Sequence, residues 1–119
     1  MNPRIAVVSL WAEDEPAVAH FSLDMIGLNL LPHHPVDRIH FDLDGIVLAI
    51  IPGRSVLPPD PEPRFPVVAI AVPELDNAVE TLRLHGVDLP RGMETNSTGS
   101  WVMFRDPAGN LVELVEFNQ

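Results

Sequence analysis

The stretch GSWVMFRDPAGNLVELVEFNQ, from Gly99 to Gln119, decides the fold of this chain. Two apolar runs, Trp101 to Phe104 and Leu111 to Phe117, flank the segment that starts with Asp106 and Pro107. Proline presets one backbone angle, and the glycine and asparagine that follow tolerate positive φ. The pattern therefore predicts a β-hairpin with a connection of about five residues.

One of the two carboxylates on the second strand of this hairpin stands between apolar neighbours. Because side chains alternate along a strand, Glu113 shares a face with Leu111, Val115 and Phe117, and this face is predicted to be buried. Burying an unpaired charge is expensive, so such a group is usually paired, protonated or bound to a metal. Glu113 is therefore the first candidate functional residue.

The composition favours one globular domain and excludes several classes of function. The chain has 119 residues, of which 46% are hydrophobic and 20% charged. It has no Cys and no Lys, which excludes disulfides, thiolate nucleophiles and lysine Schiff bases. The net charge of −10 argues against nucleic acid as a partner. No apolar run is long enough for a membrane span and the start does not resemble a secretory signal, so we expect a cytoplasmic protein.

The first half of the chain predicts a strand, a helix and three further strands. Ile5 to Trp11 is the first strand, and Asp14 then caps a helix that Gly27 ends. The remaining strands are predicted over Leu28 to Leu31, over Val36 to Leu43 and, after a tight turn at Asp44-Gly45, over Ile46 to Ile51.

A proline-rich segment separates this half from a second copy of the same pattern. Six of the fifteen residues from Pro52 to Pro66 are proline, which predicts a stiff, extended linker. After it come a strand over Val67 to Val72, a helix from Glu74 to Gly86, a short extended piece over Val87 to Leu89, a polar loop over Arg91 to Gly99 and the closing hairpin. The sequence thus predicts two βαβββ units in a single domain, with module one over residues 1–52, a linker over 53–66 and module two over 67–119.

The hairpin and the repeat resemble the vicinal oxygen chelate superfamily, which includes glyoxalase I, extradiol dioxygenases and bleomycin-resistance proteins. Phe104, the turn from Asp106 to Asn110, and Glu113 stand where that superfamily has an aromatic strand, Asp-Pro-x-Gly-Asn and a metal-binding glutamate. Asp14 and Gly27 of the first helix also match its spacing. The resemblance implies an α+β fold of two βαβββ modules, with curled mixed sheets around a cavity and the helices outside.

The resemblance also assigns positions to metal ligands, and most of them are apolar here. The ligand positions on the first strands fall at Val7 and Val67, and the strand from Ile46 to Ile51 offers no ligand in any register. Only Glu113 remains, and one carboxylate cannot hold a catalytic metal. None of the five histidines restores a pair with metal-ligand spacing. We therefore expect no metal and no cofactor, and we assign no catalytic residue.

The remaining pattern predicts a lined pocket. If Glu113 faces the cavity, the resemblance implies that Trp101, Met103 and Arg105 do so too, because Phe104 matches the core aromatic of the superfamily. It also implies that Ser9 and Trp11 lie on a concave face, because they alternate with Val7, which holds a ligand position. Apolar walls with a few polar groups suit a small molecule. Alternatively, both Trp residues fill the core, Arg105 pairs with a neighbouring acid, and His40 lies on an exposed outer face. The predicted ligand-binding residues are Ser9, Trp11, His40, Trp101, Met103, Arg105 and Glu113.

Several functions fit these residues. The favoured one, by resemblance to bleomycin-resistance proteins, is metal-free binding or sequestration of a small, partly aromatic or cationic molecule by a homodimer. The main alternative is a metal-dependent lyase, isomerase or dioxygenase, which needs at least three ligands. Two further alternatives are a metal-free enzyme with Glu113 as its general base and a protein that acts only through assembly with a partner.

Overall fold

The computed structural model describes residues 5–31, 39–54 and 67–118, in two compact units, residues 1–55 and 56–119. Most of the predicted linker, residues 55–66, lies outside the described residues. The elements of the first unit are β1 (Val7–Ala12), α1 (Glu15–Phe21), β2 (Asn29–Leu30), β3 (Ile39–Leu43) and β4 (Ile46–Pro52). Those of the second are β5 (Val68–Ala71), α2 (Leu75–Leu84), β6 (Met93–Thr95), β7 (Gly99–Arg105) and β8 (Leu111–Phe117).

The first unit is a four-stranded mixed sheet in the order β1-β4-β3-β2, and α1 packs against β4. The first and last strands, β1 and β4, are parallel, and the other pairs are antiparallel. Val18 of α1 and Phe41 of β3 are fully buried. The side-chain oxygen Oδ1 of Asp14 accepts the N–H of Ala17 at 3.2 Å, as predicted for an N-cap. A π-helical turn, Ser22–Ile26, continues α1 and ends at Gly27, which has a φ of 77°.

The second unit repeats this topology in the order β5-β8-β7-β6, again with its first and last strands parallel. Helix α2 packs against β7 and β8. One face of each element forms this core, because the apolar residues of α2 recur at helical spacing and those of the strands alternate. Its buried residues are Leu75, Val79, Leu82, Val102, Phe104, Val112 and Leu114. The predicted α+β architecture of two βαβββ units is therefore confirmed.

Most strands fall where the sequence predicts them, but one prediction in the second unit is wrong. The stretch from Arg91 to Gly99, predicted as a polar loop, contains strand β6, and Val87 to Leu89 forms no strand. Strand β6 pairs only with β7 and therefore lies at the edge of its sheet. An edge strand can carry polar residues because it is exposed along one side, so its sequence lacks the apolar signal of an inner strand.

The connection between β7 and β8 is fixed by Asp106. Its Oδ1 accepts the backbone N–H groups of Ala108 at 3.0 Å and Asn110 at 2.9 Å, and its Oδ2 accepts the side-chain amide of Asn110 at 2.9 Å. Gly109 has a φ of 87°, as the turn requires. Asp106 and Asn110 are both buried. The predicted hairpin is confirmed, and its turn sets the register that positions Glu113.

In the part of the chain that the structure describes, no helix has both the length and the apolar character needed to cross a membrane.

Candidate functional site

The face of the second sheet that carries Glu113 is formed by residues from all four strands. Ala69 of β5 and Met103 of β7 are the direct neighbours of Glu113 on its two sides. Trp101 lies opposite Val115 on one side and Glu94 of β6 on the other. Residues directly opposite each other point to the same face of a sheet. This Glu113 face comprises Ala69, Ala71, Glu94, Trp101, Met103, Arg105, Leu111, Glu113 and Val115.

The Glu113 face is less buried than the sequence suggests. Helix α2 packs on the opposite face, where Val112 and Leu114 are buried. Glu113 and Trp101 are only half-buried, and Phe117 at the end of β8 is 63% exposed. The prediction of a buried face for Glu113 is thus corrected to a half-buried one. Trp101, Met103 and Arg105 do share this face with Glu113, as the alternation predicts.

A second carboxylate, missed by the sequence analysis, influences Glu113. Burial raises the pKa of Glu113 above its ordinary value of 4.5, and repulsion from the negative charge of Glu94 raises this pKa further. The sequence analysis missed Glu94 because it placed this residue in a polar loop. Once β6 is known, pairing with Trp101 places Glu94 on the Glu113 face.

Arg105, on the same face, has an acidic partner. Its Nε lies 3.2 Å from Oδ2 of Asp88, and the backbone N–H of Arg105 donates to the carbonyl of Asp88 at the same distance. This geometry fits the alternative in which Arg105 pairs with a neighbouring acid. The carboxylate of Asp106 accepts hydrogen bonds within its own turn. Arg105 is therefore paired with Asp88. Glu94 and Glu113 carry like charges on the same face of the sheet.

The equivalent face of the first sheet brings together the other three predicted site residues. Ser9 of β1 and His40 of β3 are the direct neighbours of Ala49 on β4, and Trp11 lies opposite Ile51. Trp11 is 48% exposed, so it does not fill the core. Trp101 is half-buried. The alternative in which both Trp residues fill the core is therefore wrong, because Trp11 is exposed. This Ser9 face comprises Val7, Ser9, Trp11, His40, Asp42, Val47, Ala49 and Ile51.

The donor atoms on these faces do not fit a metal site of the kind that the resemblance implies. The central row of the second sheet is Ala69, Glu113 and Met103, and the corresponding row of the first sheet is Ser9, Ala49 and His40. Among residues 5–31, 39–54 and 67–118, no three His, Cys, Asp or Glu side chains are grouped as metal ligands would be. Each row offers one strong ligand where a catalytic site needs about three.

The sequence and the fold identify the family. The family model described as "Glyoxalase/Bleomycin resistance protein/Dioxygenase superfamily" matches residues 4–114. The chain belongs to this superfamily. No curated protein matches the chain.

Solved structures of the superfamily share the fold over nearly their whole length. A glyoxalase/dioxygenase from Nostoc punctiforme is 21% identical with a TM-score of 0.76, and the match covers 98% of this chain and 92% of that one. TnmS3, an antibiotic binding protein from Streptomyces sp. CB03234, is 18% identical with a TM-score of 0.75 and covers 98% of both chains. Lactoylglutathione lyase from Agrobacterium tumefaciens is 20% identical with a TM-score of 0.69, covering 97% and 94%. At these identities the likeness establishes the fold alone. These three neighbours include one named as a binding protein and others named as enzymes.

Proposed function

We propose that this protein binds and sequesters a small molecule that carries an aromatic ring and a positive charge, without the help of a metal. The observation that carries the proposal is the pair of carboxylates on the Glu113 face. Glu94 and Glu113 lie on the same face as Trp101 and Met103, and the pKa of Glu113 is raised first by burial and then by the negative charge of Glu94.

A cation would relieve the repulsion between these two carboxylates. Like charges on one half-buried face disfavour ionisation, and a positive group beside them reverses that effect. The ring of Trp101 adds a cation–π attraction of about 0.5–2 kcal/mol, depending on how far the cation is desolvated. Arg105 does not neutralise the pair, because it is engaged by Asp88. The local charge on this face therefore favours a cation over an anion.

The charge of the whole chain acts in the same direction. At a net charge of −10, the protein attracts cations over distances of about a Debye length and repels anions. TnmS3, a structural neighbour named as an antibiotic binding protein, supports a binding role for a chain of this fold. The proposal includes a homodimer, which rests on the resemblance, and it places this homodimer in the cytoplasm.

The experiment is a calorimetric titration with three probes that separate charge from aromaticity. Proflavine is a planar aromatic cation, acridine-9-carboxylate has a similar ring with a negative charge, and tetraethylammonium has the charge without the ring. Proflavine should bind most tightly. Glu94→Gln and Glu113→Gln should each weaken proflavine binding about three- to tenfold, since one partly buried charge contact is worth about 1 kcal/mol. Glu80→Gln, which removes a charge from an exposed position on α2, is the matched control and should leave the affinity unchanged.

Fluorescence shows which face the ligand meets. The chain contains two Trp and no Tyr, so each single-tryptophan variant has one reporter. Trp11→Phe leaves Trp101 on the Glu113 face, and Trp101→Phe leaves Trp11 on the Ser9 face, where Ser9 and His40 are the other proposed contacts. Quenching of neither reporter by proflavine would contradict the proposal. One tightly held metal per chain in elemental analysis, lost in Glu113→Ala, would instead favour the lyase, isomerase or dioxygenase alternative.

A further inference from the structure

Trp11 is exposed, yet one edge of its ring is closely confined. The residue is 48% exposed at the end of β1. A methyl group built on Gly53 would lie 2.5 Å from Cε3 of the indole, 3.1 Å from Cζ3 and 3.4 Å from Cδ2. All three atoms belong to the six-membered ring, so the main chain at Gly53 abuts this ring at Cε3. No side chain larger than hydrogen fits between them unless the indole moves.

The backbone of Gly53 is itself tied to the strand that carries Trp11. The N–H of Gly53 donates to the carbonyl of Ala12 at 3.0 Å, so β4 and β1 remain joined just beyond their last paired residues. Gly53 has a φ of 155°, a backbone angle that residues with a side chain rarely adopt. Next to it, Nε of Arg54 donates to Oε1 of Glu13 at 2.7 Å and links the same two chain segments. Glycine is therefore required here by both conformation and space.

We infer that Gly53 is a positioning residue that holds the indole of Trp11 on the Ser9 face ready to stack on an aromatic ring. The inference rests on the proposed function and adds a specific role to a residue outside the predicted site. A side chain that is ordered before binding loses less conformational entropy when the ligand arrives. The close contact with Gly53 restricts the ring, while about half of Trp11 stays open to a ligand.

The test compares two glycines with positive φ, of which only one lies against a side chain. Gly45, in the turn between β3 and β4, also has a positive φ, 90°, but a methyl group there meets nothing within 4 Å. Gly53→Ala and Gly45→Ala thus both impose backbone strain, and only Gly53→Ala displaces Trp11. In the Trp101→Phe background, Gly53→Ala should shift the emission maximum and lower the anisotropy of Trp11, and Gly45→Ala should change neither.

Proflavine affinity, measured by calorimetry in the chain with both Trp residues, gives the functional readout. Gly53→Ala should weaken binding about three- to tenfold, the size of the ordering cost of one side chain, and Gly45→Ala should not. In the Trp11→Ala background the effect of Gly53→Ala should vanish, because no ring is left for the added methyl group to displace. If Gly53→Ala alone fails to fold, the double variant with Trp11→Ala should fold and bind proflavine as Trp11→Ala does.

The outcomes separate this inference from the proposed function. Proflavine binding that Gly53→Ala leaves intact, with unchanged Trp11 emission, would overturn the inference alone. A loss of affinity that persists in the Trp11→Ala background would also overturn it, because the effect would then not pass through the indole. Failure of the native chain to bind any of the three probes would overturn the proposed function together with the inference.

Discussion

The backbone N–H of Leu75 donates to Oε1 of Glu116 at 2.7 Å, although the two residues are 41 positions apart in the chain. Leu75 begins α2, and Glu74 at its N-cap makes no capping bond with its own side chain. A carboxylate from β8 thus accepts a hydrogen bond from one of the free N–H groups at the start of the helix. Its negative charge also interacts favourably with the positive end of the helix dipole.

Replacing Glu116 should therefore destabilise the second unit. Glu116→Ala should lower the free energy of unfolding by about 1 kcal/mol, as the loss of an N-cap acceptor does. Glu116→Gln keeps an oxygen acceptor and loses only the charge, so it should cost about half as much. Urea unfolding followed by circular dichroism measures both values. Equal losses in the two variants would mean that the charge, and not the hydrogen bond, stabilises the helix.

Asp106 should be the most sensitive polar residue of the closing hairpin. Its carboxylate is buried and accepts three hydrogen bonds within the turn. Asp106→Ala should lower the free energy of unfolding by about 2–3 kcal/mol, since it leaves buried N–H groups without an acceptor. Asp106→Asn retains Oδ1 and should cost less. A loss below about 0.5 kcal/mol for Asp106→Ala, the range of ordinary surface changes, would contradict this account of the turn.

The repulsion between Glu94 and Glu113 can be measured directly. Glu94→Gln removes the neighbouring charge, so the pKa of Glu113 should fall towards its ordinary value of 4.5 but stay above it, because burial also raises it. Titration of the side-chain carboxyl by NMR reports this pKa. An unchanged pKa in Glu94→Gln would show that the two carboxylates do not interact, which would remove the main support for a cation site.

The raised pKa of Glu113 also predicts how stability depends on pH. The folded state favours the protonated carboxyl, so the contribution of Glu113 is fully present below the pKa of the unfolded chain and is lost as the pH rises through the folded pKa. Glu113→Gln stays neutral at every pH. It should therefore be more stable than the native chain at pH 7, by a margin that shrinks as the pH falls through the folded pKa of Glu113 and disappears below 4.5. Denaturation at a series of pH values checks this, with Glu80→Gln as the control for net charge.

The regular parts of the fold could be predicted from sequence because their local signals agree with one another. The turn at Asp106, the apolar alternation in β8 and the capping residue Asp14 each specify an element without help from distant residues. Strand β6 carries no such signal. Its three residues, Met93 to Thr95, gain their partner only when β7 is in place.

Only part of the candidate site could be predicted from the sequence. The fixed period of a strand, together with the match of Phe104 to the superfamily, placed Trp101 and Met103 on the face of Glu113. Only the structure shows that Ser9 and His40 both lie beside Ala49. Glu94 was missed because its strand was missed. Gly53 was missed for another reason, since no pattern in the sequence shows that an indole lies against one particular glycine.

The row of Ala69, Glu113 and Met103 crosses three adjacent strands, on which neighbouring side chains are about 5 Å apart. Histidine at Ala69 and at Met103 would place an imidazole on each side of the carboxylate, a donor set that suits zinc or iron. The backbone would not need to change, since both positions already point to the right face. The present lack of a three-ligand set on this face is therefore a property of two side chains and not of the backbone.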